Sequence, residues 1–483
     1  PWPMYKPRRT RLVALIDHPD RARLYLSANK SFFEGSTAPP ASRGAPKTPL
    51  RYLRLSGLQV VQLEYTVECL CEREGLMANA IATDAATNVD APAKVYFTNL
   101  RTHGRESQLD KLKRLVKRAG IEQIDFENKF VAIKIHFGEL GNLSFLRPNY
   151  ARVVVDVVKE LGGKPFLTDC NTLYVGSRKN ALEHIDCAYQ NGFTPYATGC
   201  HVIIADGLKG TDETLVPVKN GEYVQQAKIG HALKDADIVI SLTHFKGHEQ
   251  AGFGGCMKNL GMGGGSRAGK MEQHAAGKPN VDEDKCIGCH ACERICAHGA
   301  VSFPTTRERT FKSGKVVETP VAYIDHDRCL GCGRCIGACN QDAVKPGYDA
   351  AVVVLNYKIA EYTQAIVQDR PQFHISLAMD VSPNCDCHPE NDTPIVPDMG
   401  MFASFDPVAI DQACIDMALQ MPAMPNTELT EMRDKLEAAG GVPERCQHDH
   451  FNMTHPDTNW RSMIEHGEKI GLGTSKYELI EVK

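Results

Sequence analysis

DIVISLTHFKGHEQAGFGGCMKNLGMGGGSRAGKMEQH runs from Asp237 to His274. Its first part, DIVISLTHF, is an apolar run of strand length, the pattern of a strand buried on both faces. Its character then changes. From His244 to His274 the chain carries nine Gly, three Lys, one Arg and three His, with little helical or strand periodicity. A buried strand feeding a glycine-rich, cation-bearing loop suits an open α/β sheet, in which ligands bind beyond the carboxyl ends of the strands.

The flanking sequence supports that fold class. Upstream, AKVYFTN (93–99), FVAIKIHF (130–137), KPFLTD (164–169) and HVIIAD (201–206) read as strands. Between them, SQLDKLKRLVKRAG ends at Gly120, Pro148 opens a helix that Gly162 closes, and RKNALEHIDCAYQNG is helical. TLVPVKNGEYVQQAKI reads as a hairpin turning at Asn220-Gly221. Downstream, AAVVVLN (350–356) is expected as a strand, followed by the helix YKIAEYTQAIVQ and the strand FHISLAMDV (373–381). DPVAIDQACIDMALQM reads as a helix with Asp406 as its N-cap and Pro407 at its first position. Helices near 428–439 and 458–470 and the strand KYELIEV complete the chain. The expected architecture is a mostly parallel sheet flanked by helices, interrupted by a small α+β insertion.

That insertion carries two cysteine runs. Cys286, Cys289, Cys292 and Cys296 form C-x2-C-x2-C-x3-C, and Cys329, Cys332, Cys335 and Cys339 repeat it. Three thiolates at this spacing wrap backbone around one 4Fe–4S cubane, and the fourth reaches the other cluster. The expected ligand sets are therefore Cys286, Cys289, Cys292 and Cys339 for one cluster, and Cys329, Cys332, Cys335 and Cys296 for the second. Structural zinc is the competing reading of paired CxxC motifs, but it needs fewer thiols than these runs supply. The module resembles the bacterial two-cluster ferredoxin, except that Ala297 and Asn340 stand where that pattern places Pro. The segment between the runs reads as a hairpin turning near Ser313-Gly314.

Composition bounds the rest. A chain of 483 residues exceeds one ordinary domain. A net charge of −4 argues against non-specific nucleic-acid binding. No apolar run reaches the ~20 residues of a membrane span. Eighteen Cys in a chain with ample core sequence point to a reducing cytoplasm rather than a secreted disulfide framework, in an organism that shields such thiols from oxygen.

Residues 1–76 differ from the rest. They are Arg-rich and include STAPPASRGAPKTP, a stretch of linker composition. Arg73-Glu74-Gly75 can be encoded by a purine-rich run like a ribosome-binding site, which makes Met77 the expected native start. The expected organisation is a leader at 1–76, an α/β domain in two parts at 77–278 and 349–483, and a ferredoxin-like insertion at 279–348.

The region from about 93 to 483 resembles the bacterial and archaeal family of uncharacterised Fe–S centre proteins, built on a domain of unknown function numbered three-six-two. The residues carrying the match are TDCNTLYVGSRKNALEH (168–184), THFKGHEQAGFGGCMKNLGMG (243–263), SRAGKMEQH (266–274), both Cys runs and NCDCHPENDTPIVPDMGMFASFDPVAID (384–411). The resemblance implies a ferredoxin-type cluster pair on an α/β scaffold. It implies no reaction.

Residue chemistry supplies the candidates. In the glycine-rich loop 246–270, Lys246, Lys258, Asn259, Arg267 and Lys270 suit an anionic ligand. The alternative is that the glycines serve tight packing. His244 and His248 are candidates for proton transfer beside Lys246, and Cys256 reads as a small buried thiol. His136, Asp169, Asn171 and Tyr174 follow other strands and are expected at the same sheet edge. Cys385, Cys387 and His388 are ligand types for zinc or iron, the alternative being free thiols packed at the scaffold edge. No motif specifies an organic cofactor. These features point to an iron–sulfur oxidoreductase exchanging electrons with a partner protein and acting on a small anionic molecule. The alternative is an electron carrier or metal-handling protein without chemistry of its own.

Overall fold

The computed structural model describes residues 91–483 apart from 174–175, 275–277, 297–298, 311–313, 330, 332, 347–351 and 391, and nearer the start only three short strands. Those strands, Ala14–Leu15, Tyr52–Leu55 and Leu58–Val61, form an antiparallel sheet. The remainder of 1–90, with the expected leader and the start at Met77, lies outside the described residues.

The body is an eight-stranded sheet. Its strands, numbered along the chain, are β1 (Ala93–Asn99), β2 (Phe130–Lys134), β3 (Lys164–Asp169), β4 (Val202–Ile204), β5 (Ile238–His244), β6 (Gln372–Ala378), β7 (Gly400–Ser404) and β8 (Tyr477–Glu481). Their spatial order is β8-β1-β7-β6-β5-β2-β3-β4, and β7 alone runs against the others. The expected mostly parallel α/β fold is present.

β5 shows why the sheet is buried on both faces. Ile238, Ile240 and Leu242 point into one core, and Val239 into the other. The first core holds α1 (Gln108–Arg118) and α2 (Pro148–Glu160) through Leu112, Leu115, Val154 and Val158. A capping box between Ser107 and Asp110 opens α1. The next helix on that side of the chain, α3 (Ala181–Gln190), takes its N-cap from Asn180. The second core includes α4 (Cys256–Gly264), α6 (Val352–Val367), α7 (Pro407–Gln420) and α8 (Arg461–Lys469). Asp406 caps α7 by accepting the Val408 and Ala409 N–H groups at 2.8 and 2.9 Å. Between α4 and α6 in the chain lies α5 (Arg267–His274). The hairpin Glu213–Pro217/Gln226–Gly230 turns around Asn220, φ 56°.

Three expectations give way. The segment 350–356 is not a strand: from Val352 it is the first turn of α6, and 350–351 lie outside the described residues. Leu355, Ile359, Tyr362 and Ile366 recur at helical spacing and are buried, so packing overrides the strand preference of the Val run. The glycine-rich segment is not an irregular loop. It forms the hairpin Lys246–His248/Gly252–Gly254, then α4 and α5. Glycine costs about 1 kcal/mol per residue in a helix, but here it permits contact: a Cβ on Gly261 would lie 2.2 Å from the Ile359 carbonyl oxygen of α6. The buried Asp411 carboxylate accepts the Cys256 and Met257 N–H groups at 2.6 and 2.9 Å, satisfying the start of α4. Finally, β7 has no counterpart in the sequence reading.

The segment from 279 to 346 pairs with itself. Pro279–Val281 pairs with Val344–Pro346, and Val301–Thr310 with Val316–Ile324. No helix among the described residues is long and apolar enough to cross a membrane.

Candidate functional site

β2, β3, β5 and β6 are parallel, so the loops leaving them emerge at one edge. A cleft of ≈ 580 Å³ opens there, walled by these strand ends, by the hairpin after β5 and by α4.

Its floor is a buried charge network. Lys134, at the end of β2, bonds Asp169, at the end of β3, at 2.9 Å and donates to Asn259 Oδ1 at 2.9 Å. Burial would raise Asp169, but the Lys134 ammonium beside it holds it well below the usual carboxylate range. Arg178 Nε bonds Glu139 at 3.0 Å, and its Nη1 lies 2.9 Å from His136 Nε2. Burial, then Arg178, keeps His136 well below its ordinary value, so the ring is neutral. His184 lies beneath, Nε2 3.9 Å from Asp169, and burial pushes it down to about 3.

A second network closes the adjoining wall. Asp386 accepts from His244 Nδ1 at 2.9 Å and pairs with Lys246 Nζ at 2.8 Å. His244 Nε2 lies 2.9 Å from the Met379 carbonyl oxygen, so both ring nitrogens are engaged. Burial would raise Asp386, yet His244 and Lys246 hold it far down.

At the cleft margin the loop after β6 brings sulfur to the site. Lys258 Nζ donates to Cys385 Sγ at 3.0 Å. A hydrogen bond from Cys387, with Lys258 and His248, pulls the Cys385 thiol well down against its burial, and Cys387 rises in return. Burial alone would lower Lys258, but the two cysteines and Glu249 raise it. Glu249, Cys387 and His388 offer ligand atoms that all lie within 4.8 Å of one another.

A second pocket, ≈ 310 Å³, is lined by Cys286, Cys289, Cys292 and Cys339 with the apolar Ile287, Phe303, Ala322 and Val344. Its scaffold repeats itself. Cys286, Gly288, Cys296 and Ala300 correspond at constant offset to Cys329, Gly331, Cys339 and Ala343. Cys286 and Cys329 N–H groups bond Asp282 and Asp325 carbonyls at 3.1 and 3.0 Å. Ala300 and Ala343 N–H groups each reach the fourth thiol of their run at 3.3 Å. Short helices Ala291–Ile295 and Arg334–Ala338 follow residues in the left-handed region, His290 at 59° and Gly333 at 67°. Cys332 lies outside the described residues.

The cleft and the thiol pocket adjoin. Thr172 and Lys270 line the cleft, whereas their chain neighbours Leu173 and Met271 pack in the core around the cysteines.

Of the residues expected at the site, His136, Asp169, His244, Lys246, Lys258, Asn259, Lys270, Cys385 and Cys387 line the cleft. His248 is buried beside it and accepts the Gln250 and Ala251 N–H groups on Nδ1, each at 3.0 Å. Lys270 donates to the Gly263 and Gly265 carbonyls at 3.1 and 2.6 Å. Two residues fall elsewhere. Asn171 holds Asp206, donating from Nδ2 at 2.8 Å. Arg267 donates to the Lys179 carbonyl and packs on Gly333. Tyr174 lies outside the described residues. The sequence reading missed Lys134, Asp386 and Glu249. Lys134 interrupts an otherwise apolar strand core, a signal that was present. Asp386 sits inside the CDCH motif, where the cysteines drew the attention.

No curated protein matches the chain. Among solved structures it is similar to the lactate racemase apoprotein from Thermoanaerobacterium thermosaccharolyticum, at 10% identity over 87% of this chain and 86% of that one, TM-score 0.36. It is also similar to a structural-genomics protein from Thermotoga maritima, at 10% identity over 78% of this chain and 87% of that one, TM-score 0.33. The family model described as Domain of unknown function (DUF362) matches residues 131–416, more than half of the chain, and the protein belongs to that family.

Proposed function

We propose that the protein is an iron–sulfur oxidoreductase in which two 4Fe–4S clusters connect a partner protein to a small anionic substrate or cofactor in the strand-end cleft. One observation carries the iron–sulfur part: three thiols of the first run and the fourth of the second line one apolar pocket. The residues suit a cubane. Four sulfurs converge, N–H groups point at Cys286 and Cys339 Sγ at 3.4 and 3.3 Å, and apolar side chains limit water. Cys286, Cys289, Cys292 and Cys339 would hold one cluster, and Cys329, Cys332, Cys335 and Cys296 the other. A cluster bound there supplies one-electron transfer at a potential set by those N–H···S bonds and by burial.

In the cleft, the Cys387 hydrogen bond and Lys258 draw the Cys385 thiol well down, Lys134 keeps Asp169 ionised, and the Asp386–His244–Lys246 network fixes the hairpin. Charges in the cleft are largely matched: Lys134 by Asp169, Lys246 by Asp386, Arg178 by Glu139. That matching favours a second reading, a carrier that passes electrons to a partner enzyme and binds no substrate. The reducing cytoplasm suits either reading.

The test is purification without oxygen, with iron and sulfide counted and released small molecules identified by mass spectrometry. About eight irons per chain are expected, and Cys286→Ser should remove about half of them. An iron-free protein, or one in which Cys286→Ser leaves the iron unchanged, would falsify the cluster assignment. A co-purified anionic molecule supports the oxidoreductase; its absence at full iron loading favours the carrier.

A further inference from the structure

The loops after β5 and β6 meet at the cleft margin, and the meeting is rigid. Gly247 N–H donates to the Ser382 carbonyl at 2.8 Å, and a Cβ on Gly247 would lie 2.2 Å from the Pro383 carbonyl oxygen. From the opposite side Asn142 Nδ2 donates to the His388 carbonyl at 3.0 Å. Glu249 from one loop and Cys387 and His388 from the other are held together by this contact. We propose that Glu249, Cys387 and His388 bind one divalent late transition-metal ion, separate from the iron–sulfur module.

The donor set is one carboxylate oxygen, one sulfur and one imidazole nitrogen, within 4.8 Å of one another. Calcium and magnesium take oxygen ligands, whereas zinc, cobalt and iron(II) accept this mixture. On binding the ion Cys387 gives up the proton it shares with Cys385, and the carboxylate and the resulting thiolate together neutralise a divalent ion. Neighbouring charges are already committed, Cys385 to Lys258 at 3.0 Å and Asp386 to Lys246 at 2.8 Å. The proposed set leaves Cys385 to Lys258 and takes Glu249 in its place, unlike the CDCH reading of the sequence. Glu249 Oε2 is sealed from solvent and has no hydrogen-bond partner among the described residues. Its Oε1 lies 3.4 Å from His388 Nε2.

His248 stands beside this donor set. His248 Nδ1 accepts two backbone N–H groups, so in the neutral ring the proton sits on Nε2, 3.6 Å from Glu249 Oε1. At that distance, beyond hydrogen-bond reach, the ring is a polar neighbour of the carboxylate rather than its hydrogen-bond partner. Three protein ligands leave a coordination position for water or substrate. Cys387 is also part of the cleft wall, so the ion borders the cleft.

The test uses the full chain, purified without oxygen and with its iron counted, then titrated with cobalt(II). We expect about one bound cobalt with near-ultraviolet thiolate-to-cobalt absorption. Cys387→Ser removes both. Glu249→Gln and His388→Gln lower the cobalt affinity by about tenfold or more, while Cys385→Ser keeps the absorption. Circular dichroism and melting temperature check each variant, and Glu249→Gln provides a second reading if Cys387→Ser unfolds. Cobalt absorption that persists in Cys387→Ser and at unchanged affinity in Glu249→Gln overturns the site. So does absorption lost in Cys286→Ser while Cys387→Ser keeps it. A low iron count with the cobalt pattern intact would sink the cluster reading and leave this site standing.

Discussion

The thiol pocket takes its walls from two stretches that follow one local plan, with the same cysteine spacing, the same left-handed residue before a short helix and the same N–H···S contacts. The strand-end cleft takes its walls from the ends of four strands, with Lys134 meeting Asp169 and His244 meeting Asp386 only once the sheet has formed. The pocket is neutral and apolar, whereas the cleft buries charges in pairs. A site built on spacing draws little on the surrounding fold, whereas a site built on topology ties its chemistry to the stability of the whole sheet.

Three changes would break or sharpen that contrast. The largest effect is expected for Asp169→Ala, which strands the fully buried Lys134. Loss of one partner of a buried pair costs about 3–5 kcal/mol, read as a lower denaturant midpoint. A loss under about 1 kcal/mol would show that the cleft charges do not bear on stability.

An intermediate effect is expected with pH, and two of the buried carboxylates act in opposite directions. Asp169 is depressed in the fold, so its stabilisation is present above the unfolded value of 3.8 and is lost as pH falls below it. Burial pushes Asp411 up to about 7, so between 3.8 and about 7 the folded state holds a proton that the unfolded chain has released. Its contribution therefore declines as pH rises through that window. Asp411→Asn should remove this decline, so the variant gains on the parent protein by on the order of 1–3 kcal/mol between pH 4.5 and 7. Parallel stability curves for the two proteins would sink the assignment. The smallest effect belongs to the cysteine module. Lys345 pairs with Asp282 at 2.8 Å with 44% of its side chain exposed, so Lys345→Ala should cost less than about 1 kcal/mol and leave the iron count unchanged.

The same contrast sorts what was legible in the sequence. The apolar run of β5 and the strand–helix alternation carried the fold class, because burial on both faces leaves a continuous signature. Asp406 and Pro407 marked the start of α7 because capping is local chemistry. α4 was hidden because six of its nine residues are Gly, Met or Cys in an order set by contact with α6 rather than by helix propensity. β7 was hidden because a five-residue strand between unlike neighbours has too few positions to show a period. In the site, strand-end polar residues such as His136 and Asp169 were visible. Asp386 and Glu249 were not, because their roles come from partners far away in the chain.

At two places the cleft and the cysteine core are the two sides of one peptide bond, Thr172 to Leu173 and Lys270 to Met271. Consecutive Cα atoms lie about 3.8 Å apart whatever the packing around them. The partition between the two chambers is therefore covalent at these points. Breathing of the sheet or sliding of the module can tilt that partition, but neither can make it thicker.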